Sequence, residues 1–169
     1  MVTKIFVLTL VVYLNIIELA TDVSKENQAK LNKVYELYDE YKNEFKNISE
    51  ITTDEIKNSK IIITLIDVRS ASEQKVSIIP GAISKEEFEK DKAKFKDTLL
   101  VPYCTIGVRS GHYAEKLKKE GFNTKNYKGS ILAWVLSGGV VHKEKKEVFE
   151  VHVYGKKWNV LPSNYKGIW

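Results

Sequence analysis

Ile61-Ile62-Ile63-Thr64-Leu65-Ile66-Asp67-Val68-Arg69 is the stretch that sets the architecture. Its apolar, mostly β-branched residues run without interruption instead of alternating with polar ones. That is the pattern of a strand buried on both faces of a sheet, and it predicts a parallel α/β fold. Asp67 and Arg69 follow at the C-terminal end of this strand, where open α/β sheets gather ligand and catalytic groups. Downstream, Pro80-Gly81 marks a turn, and Ser84 with Glu87 makes a capping-box pattern that opens a helix through about Phe95. Thr98 to Tyr103 is a second apolar strand, in which Pro102 must sit where the ladder needs no donor. Ser110 to Glu120 reads as a helix stopped by Gly121, Phe122 to Tyr127 as a further strand, and Ile131 to Leu136, after Gly129, as a buried helix. Strand and helix therefore alternate, which predicts a mainly parallel sheet of about five strands with helices on both faces.

Upstream, Leu31, Val34, Tyr38, Tyr41 and Phe45 recur at spacings of three and four among charged residues. They predict an amphipathic helix laid against the core. Ile51 to Asn58 reads as a short helix capped by Thr52 or Thr53. Asn47-Ile48-Ser49 has the glycosylation acceptor pattern. Earlier still, Lys4 precedes the apolar run Ile5 to Leu14 and mixed residues up to Ala20. The run has the length of a signal h-region and is shorter than the roughly 20 apolar residues of a membrane span. It predicts a secreted or periplasmic protein. A cut after Ala20 would put Glu18 where a small residue is preferred, so an uncleaved membrane anchor is the alternative. After Gly138-Gly139 the composition turns to lysine and glutamate. Phe149, Val151 and Val153 then alternate ahead of Tyr154-Gly155-Lys156, which predicts an appended hairpin turning at that glycine. The expected organisation is a signal at 1–20, the amphipathic helix at 21–47, one α/β domain at 48–142 and an extension at 143–169.

The 169 residues, 43% hydrophobic and 29% charged, suffice for one packed core. A net charge of +5 comes from lysines interleaved with acidic residues. Such a balance attracts small anions mildly and lacks the dense basic stripe of a nucleic-acid binder. With one cysteine no internal disulfide is possible, and three histidines beside it make no metal-ligand cluster, so neither metal nor cofactor is implied.

That cysteine lies in Tyr103-Cys104-Thr105-Ile106-Gly107-Val108-Arg109-Ser110, between a strand end and a helix start. N–H groups of a loop and of a first helical turn converge at such a place, and the helix dipole adds positive potential. A cysteine there is suited to react as a nucleophile. Gly107 permits a tight backbone path at positive φ, and Arg109 offers a fork of donors for an oxyanion. Singly, a cysteine is more often packing, a glycine a turn and an arginine a solvated charge. Their joint placement is what points to chemistry.

Cys-x-x-Gly-x-Arg-Ser at Cys104 to Ser110 resembles the active loop of the rhodanese family. Leu65-Ile66-Asp67-Val68-Arg69, Glu73, and Ile79-Pro80-Gly81-Ala82 resemble its first signature, and Gly129-Ser130-Ile131-Leu132-Ala133-Trp134 with Gly138 its second. The likeness spans roughly residues 48 to 142. Ser77-Ile78 stands where the family commonly has Gly-His, and Pro102 is unusual before the cysteine. The resemblance implies a single rhodanese-like domain in which Cys104 accepts sulfur as a persulfide. It implies that the backbone of Thr105, Ile106, Gly107, Val108 and Arg109, with Ser110, holds sulfur and anion, that Arg109 is catalytic beside Cys104 and helps fix the loop, and that Asp67 and Arg69 are structural. The implied donor is a small anion such as thiosulfate, and the acceptor a thiol or cyanide. Cysteine phosphatases use a similar cradle with a longer spacing from cysteine to arginine, which favours sulfur transfer here. A silent rhodanese-fold binding module and an arsenate-reducing or phosphatase relative are the alternatives. His112 is expected at the surface.

Overall fold

The computed structural model describes residues 2–169, with side-chain surroundings for residue 13 and from residue 16 onward. The strands are β1 (Glu50–Ile51), β2 (Ile63–Asp67), β3 (Ile83–Ser84), β4 (Leu99–Tyr103), β5 (Asn126–Tyr127), β6 (Val141–Lys143), β7 (Lys146–Val148), β8 (Glu150–His152) and β9 (Lys166–Ile168). The α-helices are α1 (Val2–Asp39), α2 (Thr53–Lys57), α3 (Ala71–Val76), α4 (Lys85–Lys90), α5 (Val108–Lys119) and α6 (Ser130–Leu136).

The first five strands are all parallel. β3-β2-β4 form one ladder and β1-β5 another, joined by a bridge between Leu100 and Thr124. Pro102 accounts for the narrowness of that join. Leu100 donates to Asn123 O at 2.9 Å and accepts from Lys125 N at 3.0 Å. The next residue of β4 facing β5 is Pro102, which has no N–H to continue the ladder. Side chains alternate across the sheet. Leu65, Leu99, Val101 and Tyr103 pack with Val34 and Leu37 of α1 and with Ile131 and Leu132 of α6. Ile66 and Leu100, pointing the other way, pack with Phe88 of α4 and with Tyr113 and Leu117 of α5. Helices thus cover both faces, as the alternation of elements predicts.

Four expectations need correction. The amphipathic helix ends at Asp39, and Tyr41 and Phe45 lie beyond it, Phe45 closing a 3₁₀ turn over Lys42–Phe45. Leaving the helix lets the Phe45 ring lie over Gly111, where a Cβ would sit 2.6 Å from it. Ile61 and Ile62 precede β2 and are 60% and 73% exposed, because a Ser59 turn bonds both N–H and C=O of Ile61. The helix opened by Ser84 ends at Lys90, and a 3₁₀ turn covers Lys92–Phe95. In the extension the hairpin is β6–β7, turning at Glu144 and Lys145, which both adopt positive φ (51° and 67°), the conformation of a two-residue hairpin turn. After Tyr154-Gly155 the chain does not turn back but crosses over, so β8 pairs with β9 in parallel. Val151 and Val153 face the core and Phe149 faces out against Tyr165.

Except for Tyr13, the apolar run read as an export signal lies outside the residues whose side chains are described. Among the described residues no helix is long and apolar enough to cross a membrane.

Candidate active site

Cys104 follows the last residue of β4, and α5 begins four residues later. The intervening loop is held from behind by α6. Ile131 N donates to Cys104 O and Leu132 N to Thr105 O, both at 3.3 Å, while Gly129 N donates to Ile106 O at 3.0 Å. In a trans peptide the carbonyl and the following N–H point in opposite directions. Tying those three carbonyls to α6 therefore turns the N–H groups of Thr105, Ile106 and Gly107 toward the cysteine side. Gly107 N reaches Cys104 Sγ at 3.3 Å. Residues 108–110 form the first turn of α5, whose amides have no intrahelical acceptor.

The loop's shape depends on Gly107, at φ +115°. A Cβ there would meet the Tyr38 ring at 2.8 Å and Tyr127 O at 3.0 Å, so glycine is needed for space as well as for torsion. A buried polar chain braces the same point. Tyr38 Oη donates to Glu50 Oε1 at 3.1 Å, Asn126 Nδ2 donates to Tyr38 Oη at 3.1 Å and to Gly107 O at 2.9 Å, and Ser110 Oγ donates to Asn126 Oδ1 at 2.8 Å. Ser110 Oγ is also 3.7 Å from Cys104 Sγ, but its one proton is committed to the shorter bond. Ser130 Oγ, accepting from Cys104 N at 3.1 Å, anchors the cysteine backbone.

Arg109 sits at the rim and does not hold its fork open to an anion, as its donor geometry alone suggests. Nη1 and Nη2 grip Glu73 Oε2 and Oε1 at 2.8 and 2.7 Å, and Nη2 touches Thr105 Oγ1 at 3.3 Å. The start of α3 holds Glu73 in place for this fork. Glu73 is the third helical residue of a capping box, so Ser70 N and Ser70 Oγ both donate to its Oε2 at 2.9 Å. Burial would raise the Glu73 carboxyl, but the Arg109 pair and the Ser70 donors outweigh it and hold it at about 2. The Glu73 carboxylate, against the cost of burial and aided by the Cys104 sulfur, raises the Arg109 guanidinium above its ordinary value.

Asp67 and Arg69 lie deeper. Arg69 Nη2 meets Asp67 Oδ2 at 2.6 Å and Ser77 O at 2.7 Å, with both side chains almost fully buried. Tyr103 Oη donates to Asp67 Oδ2 at 2.7 Å, and burial together with that carboxylate keeps the phenol protonated. The pair knits the end of β2 to β4 and does not touch Cys104. His112 is exposed and bonds Glu44 Oε2 at 2.9 Å.

Cys104 is only 2% exposed, yet it forms part of the wall of a cavity of about 230 Å³. Thr105, Ile106 and Val108 continue that wall and Arg109 closes one side. Tyr41, Tyr154 and Trp158 complete its lining. None of those three was a candidate from the sequence, since pattern reading treats a helix end and a C-terminal tail as packing. Glu73, Ser130 and Asn126 were missed as supports. The Ser70-x-x-Glu73 capping spacing and the places of Glu73 and Ser130 in the two signatures were the signals that pointed toward them. Among the described residues no group of three or more His, Cys, Asp and Glu side chains is arranged to hold a metal ion.

A family model described as rhodanese-like domain matches residues 49–137. YtwF of Bacillus subtilis, provisionally named a sulfurtransferase, is 33% identical over 94 residues, covering 54% of this chain and 91% of that protein. A rhodanese-related protein from Thermoplasma volcanium is 28% identical, with 57% of this chain and 99% of that one covered at a TM-score of 0.48. A thiosulfate sulfurtransferase from Pseudomonas aeruginosa is 17% identical, covering 67% of this chain and 23% of that one, with a TM-score of 0.54, a likeness of fold.

Proposed function

Because this chain belongs to the rhodanese-like domain family, we propose that it transfers sulfane sulfur through a persulfide on Cys104. The observation that carries this reading is the orientation of the loop, whose carbonyls are tied to α6 while Gly107 N points at Sγ beside the open end of α5. Amides so placed stabilise negative charge on sulfur without reorganising during the reaction.

With thiosulfate as the simplest donor, the Cys104 thiolate attacks the outer sulfur. A bond forms from Sγ to that sulfur as the donor S–S bond breaks, and sulfite leaves with the electron pair. The terminal sulfur of the persulfide carries the negative charge against the loop amides. A thiolate or cyanide acceptor then attacks that sulfur, taking it and returning Cys104 as thiolate. In this scheme Arg109 and Glu73 keep the loop in shape, and Asp67 and Arg69 hold the strand ends beneath it.

The test is turnover. Thiosulfate and cyanide mixed with the full chain should yield thiocyanate and sulfite, and Cys104→Ser should abolish both products. Absence of thiocyanate with every sulfane donor offered would favour a binding module. Arsenate-dependent consumption of added thiol would favour the reductase reading.

A further inference from the structure

The cavity at Cys104 is completed by parts of the chain that the family match does not include. Tyr41 comes from the turn after α1, and Tyr154 and Trp158 come from the extension, all outside residues 49–137. The rings are held in place. Tyr41 N bonds Tyr38 O at 2.9 Å, and its ring lies 6.1 Å from that of Trp158 at an interplanar angle of 53°. Trp158 ends the 3₁₀ turn Lys156–Trp158. Tyr154 adopts φ +63°, a conformation unfavourable for a residue with a Cβ, and its N–H donates to His152 Nδ1 at 3.1 Å. Holding Tyr154 there costs energy that the surrounding structure must offset, and the result is a ring 5.0 Å beneath the Arg109 guanidinium.

Charge at the pocket points the same way. Among its lining residues Arg109 is the charged one, and its charge is paired with Glu73, which accepts one N–H from each terminal nitrogen. A small dianion entering here meets the loop amides but no unpaired cation, and loses hydration against ring carbon at the outer part of the pocket. A flat apolar body meets three rings. The volume of about 230 Å³ exceeds the ~150 Å³ of an apolar cavity that takes up benzene.

We propose that Tyr41, Tyr154 and Trp158 make Cys104 selective for an organic sulfane-sulfur donor with an aromatic body, in preference to a small inorganic one. This rests on the persulfide reading of Cys104 and names its substrate class. For an arylthiosulfonate the step balances as it does for thiosulfate. Sγ bonds the terminal sulfur, the bond from that sulfur to the sulfonyl sulfur breaks, and arylsulfinate leaves with the electron pair.

The test compares benzenethiosulfonate with methanethiosulfonate, which share the reacting group and differ in the body it carries. Rates of Cys104 loading are followed in the full chain by quenching and intact mass. The phenyl donor should load faster. The phenyl-to-methyl ratio should fall about fivefold in Trp158→Ala and roughly threefold in Tyr154→Ala, and should be retained in Trp158→Phe. Tyr154 is 64% exposed, so its replacement leaves the fold intact if Trp158→Ala does not. A ratio that is the same in the wild type and both alanine variants overturns aromatic selectivity while leaving sulfur transfer standing. Failure of every donor to load the wild type overturns both.

Discussion

At the residue scale, Glu73 sets the direction of the Arg109 fork, and the pair has a measurable signature. The Glu73 carboxyl, at about 2 in the folded chain against an ordinary 4.5, is depressed by folding. A depressed acid contributes stability that is complete above its unfolded value and is lost as pH falls through its folded one. The shift corresponds to on the order of 3 kcal/mol, present above pH 4.5 and vanishing toward about pH 2. Urea unfolding of wild type and Glu73→Gln should therefore differ at pH 7 by an amount that shrinks between those limits. A difference independent of pH would mean that the carboxylate charge is not what holds Arg109. From sequence, Cys104, Gly107 and Arg109 stood out together, by their joint placement between a strand end and a helix start. The direction of the Arg109 fork was not legible, because its partner lies 36 residues earlier and reaches it only through the fold.

At the element scale, capping chemistry was the most readable signal and bears directly on the site. Thr52 caps α2 with a full box through Glu55, and Ser84 caps α4 by accepting from Glu87 N. Ser70 caps α3 and grips Glu73 with the same hydroxyl. Ser70→Ala should cost about 1 kcal/mol in thermal or chemical unfolding, the usual loss for an N-cap. Because the hydroxyl also holds the Arg109 partner, Cys104 loading should slow as well. An unchanged loading rate at reduced stability would confine Ser70 to capping. Helix ends and the turn of the β6–β7 hairpin were poorly legible for a common reason. Phe45 leaves α1 to reach Gly111, and Glu144-Lys145 turns at positive φ without a glycine, so neither carries the residue types by which such features are recognised.

At the scale of the whole molecule, the parallel sheet was legible because β2 and β4 are near-continuous apolar runs, whereas its division into two ladders awaited the position of Pro102 relative to β5. Helix α1 spans two environments. Val34, Leu37 and Tyr38 are buried against α6 and the loop, while Ile16, Leu19 and Val23 are 59%, 67% and 41% exposed. Leu37→Ala should destabilise the fold by about 2–5 kcal/mol, and Leu19→Ser should stay within about 0.5 kcal/mol. Equal effects in urea unfolding would mean that the exposed half of α1 packs against something in solution. The flanking segments thus stabilise the domain and also finish its pocket, so activity should be measured on the full chain. The most direct measurement is the intact mass of the desalted protein after incubation with thiosulfate and, separately, with benzenethiosulfonate. A gain of one sulfur atom on the wild type and none on Cys104→Ser is the predicted result, and an unchanged wild-type mass with both donors would contradict the account.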